Sequence, residues 1–206
     1  TDEHEARDQA TSFLEAGGTF FDTADVYADG ESERVLGGIL REVARRDDVV
    51  IATKAVGVRD DRGRNASRAH LLSALDASLR RLGTDHVDLW QLHAWDPLTP
   101  LDETLSALDA AVASGKVRYV GVSNYSGWQT AQAATWQAAV PGRARLVSTQ
   151  VEYSLVERGV EREVVPAAEA LGLGLLPWSP LGRGVLTGKY RTGTPADSRG
   201  ASPHFG

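Results

Sequence analysis

The chain contains no cysteine. A disulfide framework, a thiolate nucleophile and a thiolate metal site are therefore all excluded. Methionine is absent as well, which says nothing about function. No apolar run is long enough to span a bilayer as a helix. Positive charge is not in excess either. Lys and Arg total 22 against 28 Asp and Glu, a net charge of −6, so nothing favours nucleic acid or an anionic membrane as partner. The opening residues, TDEHEARD, are polar and acidic, the reverse of a secretory signal, and the expected compartment is the cytoplasm. What remains is ordinary for a globular chain: 206 residues, 42% hydrophobic and 24% charged. No linker, low-complexity stretch or charge block interrupts it, so a single domain over residues 1–206 is expected.

Six strand-like segments each end on a polar or aromatic residue suited to chemistry. They are FDTADVY at 21–27, VVIATK at 49–54, VDLWQLH at 87–93, YVGVSN at 119–124, VSTQVEY at 147–153 and GLLPWS at 174–179. Between them lie apolar stripes of helical period at 31–45, 67–82, 100–115, 126–139 and 158–171, preceded by a helix at 2–16. Gly17-Gly18 closes the first helix. Thr99 is placed as an N-cap with Pro100 at N1 and Asp102 at N3. Ser126 with Gln129 forms a capping-box pattern. Pro166 inside the last stretch predicts a kink or a split.

The strands start about 30 residues apart, the length of one β-α-β step. Near-continuous apolar runs such as VVIAT suit a parallel sheet covered on both faces. An open doubly wound sheet would carry G-x-G-x-x-G after its first strand, and no strand here is followed by one. Gly182-Arg-Gly184 is the nearest approach, after the last strand. The reading is an α/β fold of the (β/α)8 TIM-barrel type. Such a barrel needs eight strands and roughly 250 residues. About six strands are legible here, so the first and last are expected to be missing from the chain.

A parallel barrel gathers its strand C-termini on one rim. Asp22, Tyr27, Lys54 and His93 would meet there. A phenol has an unperturbed pKa of about 10 and is a poor acid at neutral pH. A neighbouring ammonium, Lys54, stabilises the phenolate, and Asp22 can hold that ammonium. A neutral His93 can donate one N–H to a carbonyl oxygen. That set suits proton delivery to a carbonyl, with the hydride coming from a cofactor. Taken singly, each of these residues, and likewise Asn124, Gln150, Trp95 and Trp178, has an ordinary role as a turn, cap or packing residue. Their recurrence at six strand ends makes the joint coincidence improbable.

The stretches FDTADVY, ATK, LWQLH, GVSN, QVEY and WSPLGRG, in this order from about Gly17 to Tyr190, resemble the motifs of the aldo-keto reductases. LHAWDP, VSNYSGW and Trp178 are similar to the bacterial, potassium-channel-β-like branch. The resemblance implies an NADP(H)-dependent reduction of aldehydes or ketones to alcohols. Asp22, Tyr27, Lys54 and His93 would be the catalytic tetrad, with Tyr27 as general acid. Ser123, Asn124 and Gln150 would hydrogen-bond the nicotinamide carboxamide, and Trp178 would stack on its ring. Ser179, Leu181, Gly182 and Arg183 would lie along the pyrophosphate. His93, where some members carry Glu and act on carbon–carbon double bonds, implies a carbonyl substrate. The family's opening strand, eighth strand and C-terminal segment have no counterpart in these 206 residues. The last of these supplies contacts to the cofactor's 2′-phosphate, so a preference for NADPH over NADH is inherited rather than visible.

Val26, Trp95 and Tyr125 are assigned to the substrate pocket. The partner is a small-molecule carbonyl compound, with no metal; oligomeric state and physiological substrate are left open. Three other functions compete. A glycosidase could pair Glu152 with Asp25, but that leaves Lys54, His93 and Trp178 idle. A metal-dependent hydrolase lacks a second His at ligand spacing. A redox-sensing regulatory subunit would bind NADPH with little turnover. An incomplete barrel also exposes strand edges, which predicts poor stability and weak activity for these 206 residues alone.

Overall fold

A computed structural model of the chain describes residues 3–57, 63–196 and 198–201. Six strands and six helices alternate: α1 (Glu3–Glu15), β1 (Phe20–Asp22), α2 (Glu31–Val43), β2 (Val50–Ala55), α3 (Arg68–Leu82), β3 (Val87–Leu92), α4 (Leu101–Ala113), β4 (Val117–Ser123), α5 (Gly127–Ala138), β5 (Leu146–Glu152), α6 (Val164–Leu171) and β6 (Gly174–Trp178). Every strand pairs in parallel with the next, in the order β1-β2-β3-β4-β5-β6. This is the curled, partial (β/α)8 architecture expected from the strand spacing. Among the described residues the sheet stays open, with β1 and β6 as its edges.

The apolar stripes become the core. β3 is buried along its whole length and β2 along all but its first residue. Leu71 and Leu75 of α3 and Leu105 and Leu108 of α4 are fully buried against the sheet. Each such leucine contributes about 1.5–3 kcal/mol of burial. The edge strands β1 and β6 are exposed or half-buried instead. The helical crossovers cover the outer face of the central strands and the curled sheet's own side chains fill the inner one, which is why those strands read as unbroken apolar runs. No helix among the described residues is long and apolar enough to cross a membrane.

Helix ends follow the local signals in most places. Gly83 (φ 66°) and Gly172 (φ 68°) end α3 and α6 in the left-handed region. The Ser126–Gln129 capping box is formed on both sides. Three expectations shift. Thr99 does not cap α4: its hydroxyl donates to Asp96 Oδ2 at 2.6 Å, Pro100 occupies the N-cap and Leu101 opens the helix. The stretch 158–171 is split, but at Glu163 rather than at Pro166. A 3-10 turn covers Gly159–Arg162, Glu163 takes φ −140°, and α6 begins at Val164. Pro166 then sits in the first helical turn, where its missing N–H costs nothing. The first strand stops at Asp22 instead of Tyr27, because Tyr27 opens a 3-10 turn over Tyr27–Gly30.

Candidate active site

Parallel register puts the polar strand ends on one rim. Lys54 stands opposite Gln91, Ser123 opposite Gln150, and Glu152 opposite Trp178. The loop after β1 extends that ladder: Thr23 N–H donates to Ala52 O and Asp25 N–H to Lys54 O. The chain then turns sharply, with Ala28 and Asp29 both at positive φ. The Tyr27 ring, just before that turn, lies over the rim beside Lys54 and His93.

Lys54 is fully buried. Its ammonium donates to Asp22 Oδ2 at 2.5 Å and to the Thr23 carbonyl at 2.7 Å. A desolvated ammonium is held charged only by such partners. Its Nζ lies 5.0 Å from the centroid of the Tyr27 ring, within range of a cation–π attraction. Gln91 Nε2 donates to the other Asp22 oxygen at 3.4 Å, a long and weak contact.

His93 packs edge-on against Tyr27, ring centroids 5.7 Å apart and planes at 80°. Burial, then the positive charges of Lys54 and Arg64, push its imidazole down to about 4. His93 is therefore neutral at physiological pH, keeping one N–H to donate and one lone pair. Its Nδ1 is buried with no hydrogen-bond partner among the described residues, and the ring is held there by packing against Tyr27. Tyr27 is 40% exposed, its ring reaching solvent where a substrate would arrive. Tyr125 is the opposite case. It is buried, and desolvation, then Asp96, push its phenol above the ordinary range. It is no candidate proton donor.

A second constellation lies beside the first. Asn124, just past β4, adopts φ 56°, a region Asn tolerates better than most side chains. Its Nδ2 donates to His93 O at 2.9 Å and to Ser123 Oγ at 3.1 Å, and its Oδ1 accepts from Trp178 Nε1 at 3.0 Å. One amide thus joins the ends of β3, β4 and β6. Both of its N–H donors are spent, leaving one Oδ1 lone pair for a ligand amide. Ser123 and Gln150 are buried beneath it. A cleft of about 430 Å³ opens alongside, with Asn124, Tyr125, Glu152 and Trp178 in its lining. That volume falls in the range of small-molecule sites.

The segment after β6 winds through Ser179, Gly182, Arg183 and Gly184, all at positive φ, into a 3-10 turn over Gly182–Thr187. Leu181 is exposed. Arg183 reaches back to Glu152, Nε to Oε1 at 3.4 Å. Of the substrate-pocket residues, Trp95 and Tyr125 meet edge to face at 5.2 Å. The Val26 side chain packs against Gly57. Trp128, not anticipated from sequence, extends the aromatic cluster at 5.5 Å from Trp95. Asp96 ties down this loop by accepting from Ala66 N–H, Leu98 N–H and the Thr99 hydroxyl.

Three further residues escaped sequence reading. Thr23 acts through its carbonyl, which any residue type supplies. Gln91 carries the strand-alternation signal, two positions before His93 and on the same face. Arg64 acts at a distance, through charge alone. Of the two carboxylates a glycosidase would use, Asp25 is buried in the loop after β1 and Glu152 is paired with Arg183. No group of acidic or His side chains among the described residues could hold a metal. Cavity size alone would mislead. A larger cavity, about 600 Å³, lies between α1 and α2 outside β1 and touches the tetrad only at Asp22.

Comparison with known proteins places the chain in a family. A probable voltage-gated potassium channel subunit beta of Oryza sativa subsp. japonica is 40% identical over 99% of this chain and 63% of its own length. Uncharacterized oxidoreductase YrpG of Bacillus subtilis is 42% identical over 92% of this chain and 61% of its own length. L-glyceraldehyde 3-phosphate reductase of Escherichia coli K12 is 38% identical over 90% and 55%, respectively. The chain thus spans about three fifths of the length of these relatives. The model of the aldo/keto reductase family matches residues 1–205, and on that match, across a rim carrying the motifs in order, this chain belongs to the aldo/keto reductase family.

Proposed function

We propose that this chain carries the site of an NADP(H)-dependent reduction of aldehydes or ketones to alcohols, with Tyr27 as proton donor. The observation that carries the reading is the buried Lys54 ammonium, clamped by Asp22 and Thr23 and 5.0 Å from the Tyr27 ring centroid, with neutral His93 at the ring's edge. Two relatives support oxidoreduction by name, one of them for an aldehyde.

A bound nicotinamide cofactor supplies the hydride, which no side chain can deliver. The residues present fit that group. Trp178 offers a ring at the edge of the cleft, the free lone pair of Asn124 suits a carboxamide N–H, and Ser123 and Gln150 supply further polar atoms. The backbone of Ser179–Arg183 would follow the pyrophosphate. On the substrate side, His93 donates its N–H to the carbonyl oxygen and fixes its orientation. Tyr27 gives its phenolic proton to that oxygen as negative charge develops there. The phenolate left behind is stabilised by Lys54, whose own charge is secured by Asp22. Tyr27 then recovers a proton from solvent through its exposed edge.

Tyr27→Phe tests the reading with NADPH and a reactive nitrobenzaldehyde. Turnover should fall by about 10²–10⁴-fold, the usual range for a general acid, while quenching of tryptophan fluorescence by NADPH persists. Full turnover in the variant would remove Tyr27 from the mechanism. Tight NADPH binding by the parent chain with no turnover over a broad aldehyde panel would instead favour a redox-sensing subunit.

A further inference from the structure

Four arginines from two neighbouring helices line one groove on the helical face of the molecule. Arg34 and Arg41 come from α2, Arg80 and Arg81 from α3, and Ala77 completes the lining. The space measures about 560 Å³, within the range that holds a small ligand. It belongs neither to the rim nor to the cleft beside Trp178.

Part of this charge has a structural use. Arg81 Nε donates to the buried Glu33 carboxylate at 2.6 Å and its Nη2 to Ser78 Oγ at 3.1 Å. Arg41 Nη1 donates to Leu82 O at 3.0 Å, satisfying a carbonyl at the end of α3. Arg34 makes one exposed pair with Glu31 at 3.0 Å, worth little to stability. Arg80 is exposed and has no ion pair among the described residues. Glu31 and Glu33 are thus the two carboxylates set against four guanidinium groups, in a protein whose net charge is −6. Like charges gathered in one groove repel, and Arg34 and Arg80 return little to the fold for that cost: one exposed pair with Glu31 and a cation in the last turn of α3. Each guanidinium has five N–H donors, and most of them remain unspent.

We propose that this groove binds a small phosphate-bearing anion carrying two or more negative charges. Guanidinium forks from two helices need a compact partner with acceptor oxygens on several sides. A phosphate group offers three such oxygens and up to two charges. A single planar carboxylate meets one fork and leaves the rest unanswered. The size of the groove suits a compact anion rather than an extended chain.

The test is isothermal titration of the chain with inorganic pyrophosphate at low salt, beside the double variant Arg34→Gln/Arg80→Gln. Both side chains are exposed, so the variant should fold, which circular dichroism checks. Charge-assisted hydrogen bonds of this kind convert to about tenfold or more in affinity when removed. The double variant should lose at least that factor, whereas Arg145→Gln, an exposed arginine elsewhere, should bind like the parent. Equal binding by the double variant would place pyrophosphate at another site and overturn the proposal. Citrate binding the parent as tightly as pyrophosphate would reduce the groove to plain charge attraction and overturn the phosphate assignment. No measurable binding at millimolar pyrophosphate would end it altogether.

Discussion

His93 shows how one residue ties the site to stability. Its imidazole ordinarily titrates near 6.5; burial with Lys54 and Arg64 nearby lowers that to about 4 in the folded chain. Between those values the unfolded chain takes up a proton that the folded chain refuses. Stability therefore falls as pH drops from about 6.5 to about 4, and this residue costs nothing further below that. The loss is about 2 kcal/mol once partial exposure is allowed for. Urea midpoints measured from pH 7 down to about pH 4 should show it, and His93→Asn should flatten that slope. A slope unchanged in the variant would mean that other groups carry the pH dependence. The residue types at the rim were legible in the sequence, because proton transfer needs particular functional groups and these stand at strand ends or, for Tyr27, in the loop just after one. Thr23 was not, since its contribution is a backbone carbonyl. Arg64 was not either, since sequence distance hides electrostatic distance.

Among the elements, α2 and α3 are joined most closely at a glycine. A Cβ built on Gly37 would stand 2.1 Å from the backbone oxygen of Leu82, an atom that cannot swing aside. On Gly38 it would meet nothing within 4 Å. Two adjacent glycines therefore predict opposite outcomes. Gly37→Ala should force the helices apart and lower stability by about 1–3 kcal/mol, the usual cost of overpacking. Gly38→Ala should raise it by about 0.5–1 kcal/mol through helix propensity and a less free unfolded chain. Denaturant midpoints of the two variants check both signs, and equal shifts would contradict this account. The same interface buries Glu33, which accepts from Arg81 Nε and from Oγ1 of Thr53, the residue before Lys54, each at 2.6 Å. The apolar stripe of α2 was readable from its 3.6-residue period. Which glycine faces α3 was not, because the two flank that stripe on opposite sides about equally and the choice depends on how closely two helices approach. Likewise, the split in the last helix fell at Glu163 rather than Pro166, since a proline within the first turn obeys the helix.

At the scale of the whole molecule the open sheet dominates. β1 and β6 each have one strand neighbour among the described residues. Phe13 and Phe20, 44% and 37% exposed, border the apolar cavity beside β1. Unpaired strand edges beside exposed aromatic surface favour association. The 206-residue chain should therefore self-associate as its concentration rises, as sedimentation velocity would show, and Phe20→Lys should weaken that association. A single monomeric boundary at every concentration would contradict this reading. The same openness underlies the expectation of weak activity from these residues alone.

By itself the sequence determined the element types, their alternation and the chemical groups at the strand ends. Those depend on local periodicity, capping residues and side-chain identity, all contained within short windows of chain. Tertiary structure alone decided that Lys54 is desolvated against Asp22, that Asn124 bridges three strand ends, and that arginines 34, 41, 80 and 81 share one groove. These depend on strand register, loop reversal and helix approach, which relate residues tens of positions apart and leave no periodic trace along the chain.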